Sequence, residues 1–248
     1  MKILIFTVLS SLLLLCIEGA TLPPSFKICK RSEPDLNACF KEAVQVALPL
    51  LKDGISDLGI PPAEPLYVNS MTLGGGSGAM KVQQNYKNVK IYDIINAKVD
   101  DATLKVGDKT FDATVSITIP KCRAEADYDL DGQILMLPIT GNGKCTLEFE
   151  NAKALIIMKG ELFDKKGKTH VKLGELKVDL KPENAKFHFD NLFDGDKQLS
   201  DQMNKLINDS WKDLYEEVKD GYNDMLAGLV KNVADTVFNK VPYDELLP

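Results

Sequence analysis

The sequence predicts an α+β fold in which a long C-terminal helix is wrapped by a highly curved antiparallel β-sheet. Residues 196–241 contain no proline and repeat apolar side chains at helical spacing, which predicts a helix of about 40 residues. Residues 66–190 instead alternate β-branched runs with turn sequences, as antiparallel strands do. Because the strands form one block with the helices outside it, the order is typical of α+β proteins.

The apolar stripe of the C-terminal helix rotates around the helix axis. Between Leu199 and Val237 apolar residues recur about every 3.8 residues, so at about 100° per residue the stripe drifts by about 200°. A coiled coil needs a repeat near 3.5, and charges every few residues exclude a membrane span. A flat sheet cannot cover such a stripe, so we expect a curved sheet. Gly221 and Gly228 leave open a helix that breaks near either glycine.

Residues 1–20 have the features of a secretory signal peptide. Lys2 precedes an almost unbroken apolar run over residues 3–17, and the small residues Gly19 and Ala20 follow it. The run is too short for a comfortable membrane span, so we expect no stable membrane insertion. Removal of this segment leaves residues 21–248, which we expect to form a single, monomeric domain of a secreted, extracellular protein.

The charge of the chain excludes one class of partner. The formal net charge is −6, and the lysines are scattered along the sequence. An acidic chain of this kind has no electrostatic footprint for nucleic acid or for anionic lipid. We therefore expect no nucleic-acid partner.

Four cysteines remain after the signal peptide. In a secreted chain the close pair Cys29 and Cys39 predicts a disulfide. If the turn sequences at residues 131–132 and 141–143 made simple hairpins, Cys122 and Cys145 would lie two strands apart, about 9–10 Å from each other. A disulfide needs Cα atoms within about 7 Å, so we expect this pair to be unbridged unless Pro138 kinks the middle strand.

The chain that precedes the strands predicts one helix and one extended segment. Residues 36–51 can be capped by Asp35 or Asn37 and place Val44, Leu48 and Leu51 on one face. Residues 58–66 contain three prolines and a glycine in close order. This composition excludes a helix and favours an extended crossing segment.

The strand block is predicted to be a long antiparallel meander. Residues 114–120, 133–139 and 146–150 are alternating or apolar runs rich in strand-forming residues. Turn sequences near residues 74–78, 106–108, 131–132, 141–143 and 165–167 separate such runs at roughly ten-residue intervals. This spacing favours hairpins between successive strands.

The reactive side chains do not predict an enzyme, a metal centre or a cofactor. The two histidines, His170 and His188, have no ligand spacing to a cysteine, and we expect His170 at the surface after a polar turn. Ser77 lacks the G-x-S-x-G spacing of a nucleophile elbow. The alternating aspartates within residues 127–131 favour a solvated strand face over a calcium site. Asn208 begins a glycosylation sequon, but its predicted helical position disfavours modification.

Several motifs together resemble the takeout and haemolymph juvenile hormone binding protein family of insects. They are ICKRSEPDLNAC at residues 28–39, LGIPP at 58–62, YDLDG at 128–132, NLFDGDK at 191–197 and VPYDELLP at 241–248. The resemblance covers nearly the whole chain after the signal peptide. It implies a helix wrapped by a curved sheet, similar to one half of the tubular lipid-binding proteins of the bactericidal/permeability-increasing type. It also implies an extracellular carrier with an internal tunnel for a juvenile hormone-like terpenoid, a fatty acid or another lipid.

If such a tunnel exists, the drifting stripe predicts which side chains line it. The stripe contributes residues from the long helix, and apolar residues of the first helix and of the strands face them. The predicted ligand-binding residues are Leu48, Leu51, Met71, Ile117, Leu137, Phe149, Ile157, Met203, Leu206, Leu214, Met225 and Leu229. The alternative is that these residues form an ordinary core, and that the protein is a secreted signalling or interaction protein without a transported ligand.

Overall fold

The computed structural model describes residues 21–74, 78 and 80–248. The predicted signal peptide, residues 1–20, lies outside the described residues. So does most of the glycine-rich run at residues 74–78. Within the described ranges, no helix is both long and apolar enough to cross a membrane.

Seven antiparallel strands of the described chain form one sheet, accompanied by four α-helices. The sheet order is β1-β2-β4-β5-β6, with β3 paired to β4 and β7 paired to β5. The strands are β1 Leu66–Leu73, β2 Met80–Tyr92, β3 Lys98–Val106, β4 Thr110–Ile134, β5 Leu137–Lys165, β6 Lys168–Lys181 and β7 Asn184–Phe189. The helices are α1 Leu36–Leu50, α2 Lys197–Asp209, α3 Trp211–Lys240 and α4 Tyr243–Leu246.

The two longest strands set the curvature of the sheet. β4 has 25 residues and β5 has 29, so at about 3.3 Å per residue each would be about 80–95 Å long if straight. β4 pairs first with β3 and then with β2, and β5 pairs first with β7 and then with β6. The right-handed twist of such long strands coils the sheet. The predicted α+β fold, a curved antiparallel sheet with a C-terminal helical region, is confirmed.

One long hairpin replaces the two short hairpins that the sequence predicted. The turn between β4 and β5 is at Leu135 and Met136, which adopt φ angles of 49° and 70°, so residues 133–139 are not one strand. Gly132 and Gly141 lie within the ladder instead. A Cβ at Gly132 would lie 2.1 Å from the carbonyl oxygen of Lys81 on β2, and one at Gly141 would lie 2.9 Å from the Cα of Leu192. These glycines therefore permit close backbone approach rather than chain reversal.

The cysteines have the bonding that the sequence predicted, although one reason was wrong. Cys29 and Cys39 form a disulfide with a Cα–Cα distance of 5.9 Å. Cys122 and Cys145 are free, but they lie on adjacent strands, not two strands apart. Cys145 pairs with Ala126, four residues along β4 from Cys122. At about 3.3 Å per residue this offset separates the two sulfur-bearing positions by more than 10 Å.

The free thiols are expected to react slowly in the folded protein. Burial raises the pKa of both Cys122 and Cys145 from 9.0 to about 12, which lowers the reactive thiolate fraction by about a thousandfold. With Ellman's reagent at about pH 8, we expect two thiols to react rapidly after unfolding in denaturant and very slowly before it. Equal rates in both states would contradict the burial, and no reaction in either state would contradict the free thiols.

The C-terminal helical region breaks at Ser210, not at Gly221 or Gly228. The prediction of one continuous helix was therefore wrong. α2 packs on β7, whereas α3 follows β6, and these two strands pair with successive parts of β5. Both glycines remain inside α3, with Gly221 close to Leu73 on β1.

Two asparagines of α2 cover the free edge of β7. The Phe189 N–H donates to Asn204 Oδ1, and Asn204 Nδ2 donates to the Phe189 carbonyl, both at 2.9 Å. Asn208 makes the same pair of bonds to Phe187, at 2.9 Å and 2.7 Å. The two side chains therefore take the place of a neighbouring strand. The sequon asparagine, Asn208, uses its amide in the fold.

The N-terminal helix has a cap that the sequence predicted, whereas His170 is not exposed as the sequence predicted. Asp35 caps α1 by accepting from the Ala38 N–H at 2.9 Å, and Asn37 instead accepts from the Leu104 N–H at 2.9 Å. His170 was expected at the surface but is buried, because its side chain points from β6 beneath the end of α3. Its Nδ1 lies 2.8 Å from the Phe238 carbonyl oxygen, which fixes Nδ1 as the protonated nitrogen when the ring is neutral.

Candidate apolar binding site

The largest apolar core lies between the sheet and the α2–α3 region, and it contains a small cavity. The cavity volume is about 30 Å³, which is about the share of one water molecule in the liquid. The described residues that line it are all uncharged. The lining residues are Met80, Gln84, Tyr86, Leu130, Ile134, Phe187, Phe189, Ile207, Trp211, Leu214, Tyr215, Val218 and Tyr222.

Hydroxyl groups at the cavity remain protonated at neutral pH. Burial raises the pKa of Tyr222 to about 12 and raises that of Tyr86 well above its ordinary value. The Tyr86 hydroxyl donates to Gln84 Oε1 at 2.9 Å, and the Tyr215 hydroxyl donates to the Leu180 carbonyl at 2.8 Å. The cavity therefore offers neutral groups and no ionised one.

Trp211 separates this cavity from a polar surface pocket. The pocket has a volume of about 270 Å³ and is lined by Glu150, Asn151, Glu183, Asn184, Trp211 and Lys212. It lies where the pairing partner of β5 changes from β7 to β6, next to Asn151, which has a left-handed backbone conformation. The break in the helical region is at the same place. Trp211 lines both spaces, so its indole stands between the polar pocket and the apolar cavity.

The middle of α3 has apolar side chains that are only half-buried. Leu214, Val218 and Tyr222 are buried in the large core, and Leu226 packs against it. Val233, two turns further on, packs against a separate buried cluster near the end of the helix. Between these two cores, Leu229 and Val230 are only half-buried. The spacing of i, i+3 and i+7 places Leu226, Leu229 and Val233 on one helix face.

The structure brings most of the predicted ligand-binding residues to the interior. Phe149, Met203 and Leu214 are buried in the large core, and Met71, Ile117, Leu206 and Met225 pack against it. Leu48 packs against the cluster between α1 and the β3–β4 hairpin, and Leu51 against the cluster at the end of α3. Leu229 is half-buried between the two cores that α3 contacts. The contact of these residues with a ligand stays a prediction.

Two of the predicted positions are wrong. Leu137 is 50% exposed because it follows the β4–β5 turn at the tip of the long hairpin. Ile157 lies between Ile156 and Met158, both of which pack against buried clusters. Because side chains alternate along a strand, Ile157 takes the opposite face of the sheet. Neither side chain reaches the interior surface of the helix.

Of the thirteen residues that line the cavity, the sequence analysis predicted only Leu214, and Gln84 and Trp211 are the omissions that matter most for its chemistry. Gln84 shares its face of β2 with the buried residues Val82 and Tyr86, so strict alternation was a signal that it lies inside. Trp211 lies within the apolar stripe between Leu199 and Val237. Its place at the helix break depends on strand pairings that are remote in sequence.

Comparison with known proteins agrees with this geometry. The sequence model of the haemolymph juvenile hormone binding protein family matches residues 3–248. The chain belongs to this family. It is 25% identical over 230 residues to the circadian clock-controlled protein daywake of Drosophila melanogaster, covering 90% of this chain and 87% of that protein. It is 22% identical over 219 residues to a putative beta-carotene-binding protein of Schistocerca gregaria, covering 88% and 86%.

A solved structure supports the fold of this family member. The crystal structure of Epiphyas postvittana Takeout 1 superposes with a TM-score of 0.77 at 27% sequence identity. The match covers 89% of this chain and 99% of that one. The curved sheet and the C-terminal helices are therefore shared with a takeout protein over nearly their full length.

Proposed function

We propose that this protein is a secreted, extracellular carrier that holds an apolar ligand between the helices and the curved sheet. The ligand class is a juvenile hormone-like terpenoid, a fatty acid or another lipid, and binding involves no covalent chemistry. The proposal also takes residues 1–20 as a cleaved signal peptide and residues 21–248 as one monomeric domain. Membership of a juvenile hormone binding family and a beta-carotene-binding relative support the ligand class.

The observation that carries the proposal is the incompletely packed interior of α3. Half-buried Leu229 and Val230 lie between two apolar clusters, and a cavity adjoins the same helix nearer its start. In a protein whose interior is only structural, such apolar faces would be closed by other side chains. An apolar ligand that covers them gains about 25 cal/mol per Å² of apolar surface.

One observation favours the alternative, a secreted signalling or interaction protein without a ligand. The cavity holds about 30 Å³, whereas pockets for small molecules measure about 300–1,000 Å³. A carrier therefore has to open its interior, by movement of helices away from the sheet, before a long-chain molecule enters. The two functions differ in a measurable way, because only a carrier takes up such a molecule.

Uptake can be measured through the single tryptophan of the chain, Trp211. Because Trp211 lines the cavity, we expect energy transfer from its indole to bound N-phenyl-1-naphthylamine. A ligand that buries about 500 Å² gains about 12 kcal/mol, and an association cost of about 4 kcal/mol leaves about 8 kcal/mol, so the dissociation constant should be about micromolar. Saturable transfer that an unlabelled lipid reverses supports the carrier. Absence of transfer with a folded protein would favour the interaction protein.

A further inference from the structure

Gln84 is a buried amide in an otherwise apolar cavity wall. Its side chain is 2% exposed and lies on β2 between the inward-facing Val82 and Tyr86. Among the residues that the structure describes, no charged side chain lines the cavity. A primary amide at such a position has two N–H donors and a carbonyl acceptor to satisfy.

The donor end of this amide has no hydrogen-bond partner in the described part of the chain. Gln84 Oε1 accepts from the Tyr86 hydroxyl, but Gln84 Nε2 makes no hydrogen bond to any described protein atom. An unpaired buried donor typically costs about 1–3 kcal/mol. Native proteins retain such groups where a water molecule, an ion or a ligand completes them.

The cavity beside Gln84 restricts which chemical groups can accept a hydrogen bond from Gln84 Nε2. Its lining is uncharged, so an ionised carboxylate or ammonium would lose its hydration without a counter-charge. A neutral oxygen that accepts a hydrogen bond meets no such penalty. Esters, ketones and ethers provide this oxygen and can carry long apolar chains.

We propose that Gln84 Nε2 anchors the neutral acceptor oxygen of an otherwise apolar ligand, so that the protein prefers esters, ketones or ethers to pure hydrocarbons. The inference rests on the proposed carrier function and adds the polar group that the ligand must have. Phe187 and Phe189 on β7 and Leu214 on α3 line the same cavity and would surround the apolar chain beside that oxygen. Tyr86 holds the other end of the amide and orients the donor.

The test compares two ligands of equal size in two proteins. Methyl laurate and pentadecane each have fifteen non-hydrogen atoms, and the ester can accept but not donate a hydrogen bond. Both are titrated by displacement of N-phenyl-1-naphthylamine from wild type and from Gln84→Met. The quantity compared is the ratio of the pentadecane to the methyl laurate dissociation constant, because the hydration of each ligand cancels between proteins. We expect this ratio to fall by about fivefold or more in Gln84→Met.

Two further variants keep the result interpretable. Tyr86→Phe removes the hydroxyl that orients the amide but keeps the Nε2 donor, so the ester preference should weaken less than in Gln84→Met. The double variant Gln84→Met/Tyr86→Phe removes both members of the amide–hydroxyl pair together, so the Tyr86 hydroxyl is not left without the amide. Its ratio should match that of Gln84→Met.

The outcomes separate this inference from the carrier proposal. If both ligands bind and the ratio is unchanged within about twofold in Gln84→Met and in the double variant, the anchor is refuted and the carrier stands. That result is expected if a buried water molecule, and not the ligand, completes the amide. If neither ligand nor the fluorescent probe binds wild type, the carrier proposal and the anchor both fail.

Discussion

A Leu214→Asp variant is expected to lose uptake of N-phenyl-1-naphthylamine completely. Leu214 is 4% exposed and contributes to the wall of the apolar cavity. A carboxylate there would be ionised beside an apolar ligand and uncharged neighbours, which costs several kcal/mol. An energy loss of that size lowers a micromolar affinity by more than a hundredfold, beyond detection. Fluorescence titration of the purified variant measures it.

The matched control is Leu199→Asp. Leu199 lies in the first turn of α2 and is 47% exposed, so the same substitution there adds a charge that water solvates. Probe affinity should stay within about twofold of wild type, because water and salt screen an exposed charge on the surface of α2. Circular dichroism identifies any variant that fails to fold.

A second variant guards against unfolding by the Leu214 substitution. Leu229 is half-buried between the two cores, so an aspartate there disturbs the fold less than at Leu214. Leu229→Asp should therefore remain folded and still weaken uptake of a long-chain ligand by about tenfold or more. If folded Leu229→Asp and Leu214→Asp both bind the probe as wild type does, the ligand does not lie along α3.

Asn204→Ala is expected to lower the free energy of unfolding by about 2–4 kcal/mol. The substitution leaves the N–H and the carbonyl of Phe189 without their partners on α2. Both groups belong to the free edge of β7 and are shielded from water by the helix, since Asn204 is itself buried. Urea unfolding followed by circular dichroism gives the free energy.

Asn232→Ala provides the comparison for this loss. Asn232 is an exposed residue of α3. Its replacement by alanine improves helix propensity by a few tenths of a kcal/mol and removes no bond to the sheet. If both alanine variants unfold at the same urea concentration, the asparagine bonds to β7 do not stabilise the protein.

Features set by neighbouring residues could be predicted from the sequence. The cap of α1 at Asp35 and the disulfide between Cys29 and Cys39 depend on residues a few positions apart. The α+β order follows from stretches with a single pattern, either helical spacing of apolar residues or runs of β-branched residues. The curved sheet was predicted correctly, although the stripe drift behind it was calculated for one helix that continues through Ser210, where the structure has a break.

Features set by distant strands could not be predicted in the same way. Gly132 and Gly141 stand in sequences typical of turns, yet a neighbouring strand approaches Gly132 closely and Leu192 approaches Gly141 closely. The break at Ser210 arises because α2 and α3 follow different strands. For the same reason Leu137 was assigned to the interior although it lies at a hairpin tip. The sequence around a residue does not indicate which distant strands will pair or pack beside it.

The binding site was only partly predictable for a related physical reason. Alternation along β2 assigns Gln84 to the interior, but its unpaired amide depends on what surrounds it in three dimensions. The half-buried state of Leu229 likewise depends on gaps between clusters. Hydrophobic pattern indicates which residues face inward, and packing decides where space remains for a ligand.

Native mass spectrometry of protein purified gently from its own source tests the carrier function most directly. The carrier account predicts the mass of the chain plus that of a small apolar molecule, which collisional activation releases without breaking a covalent bond. Lipid extraction of the same sample should recover a molecule with a long apolar chain and a neutral acceptor oxygen. A spectrum that contains only the bare chain, from protein that also fails to take up added lipid, would contradict the account.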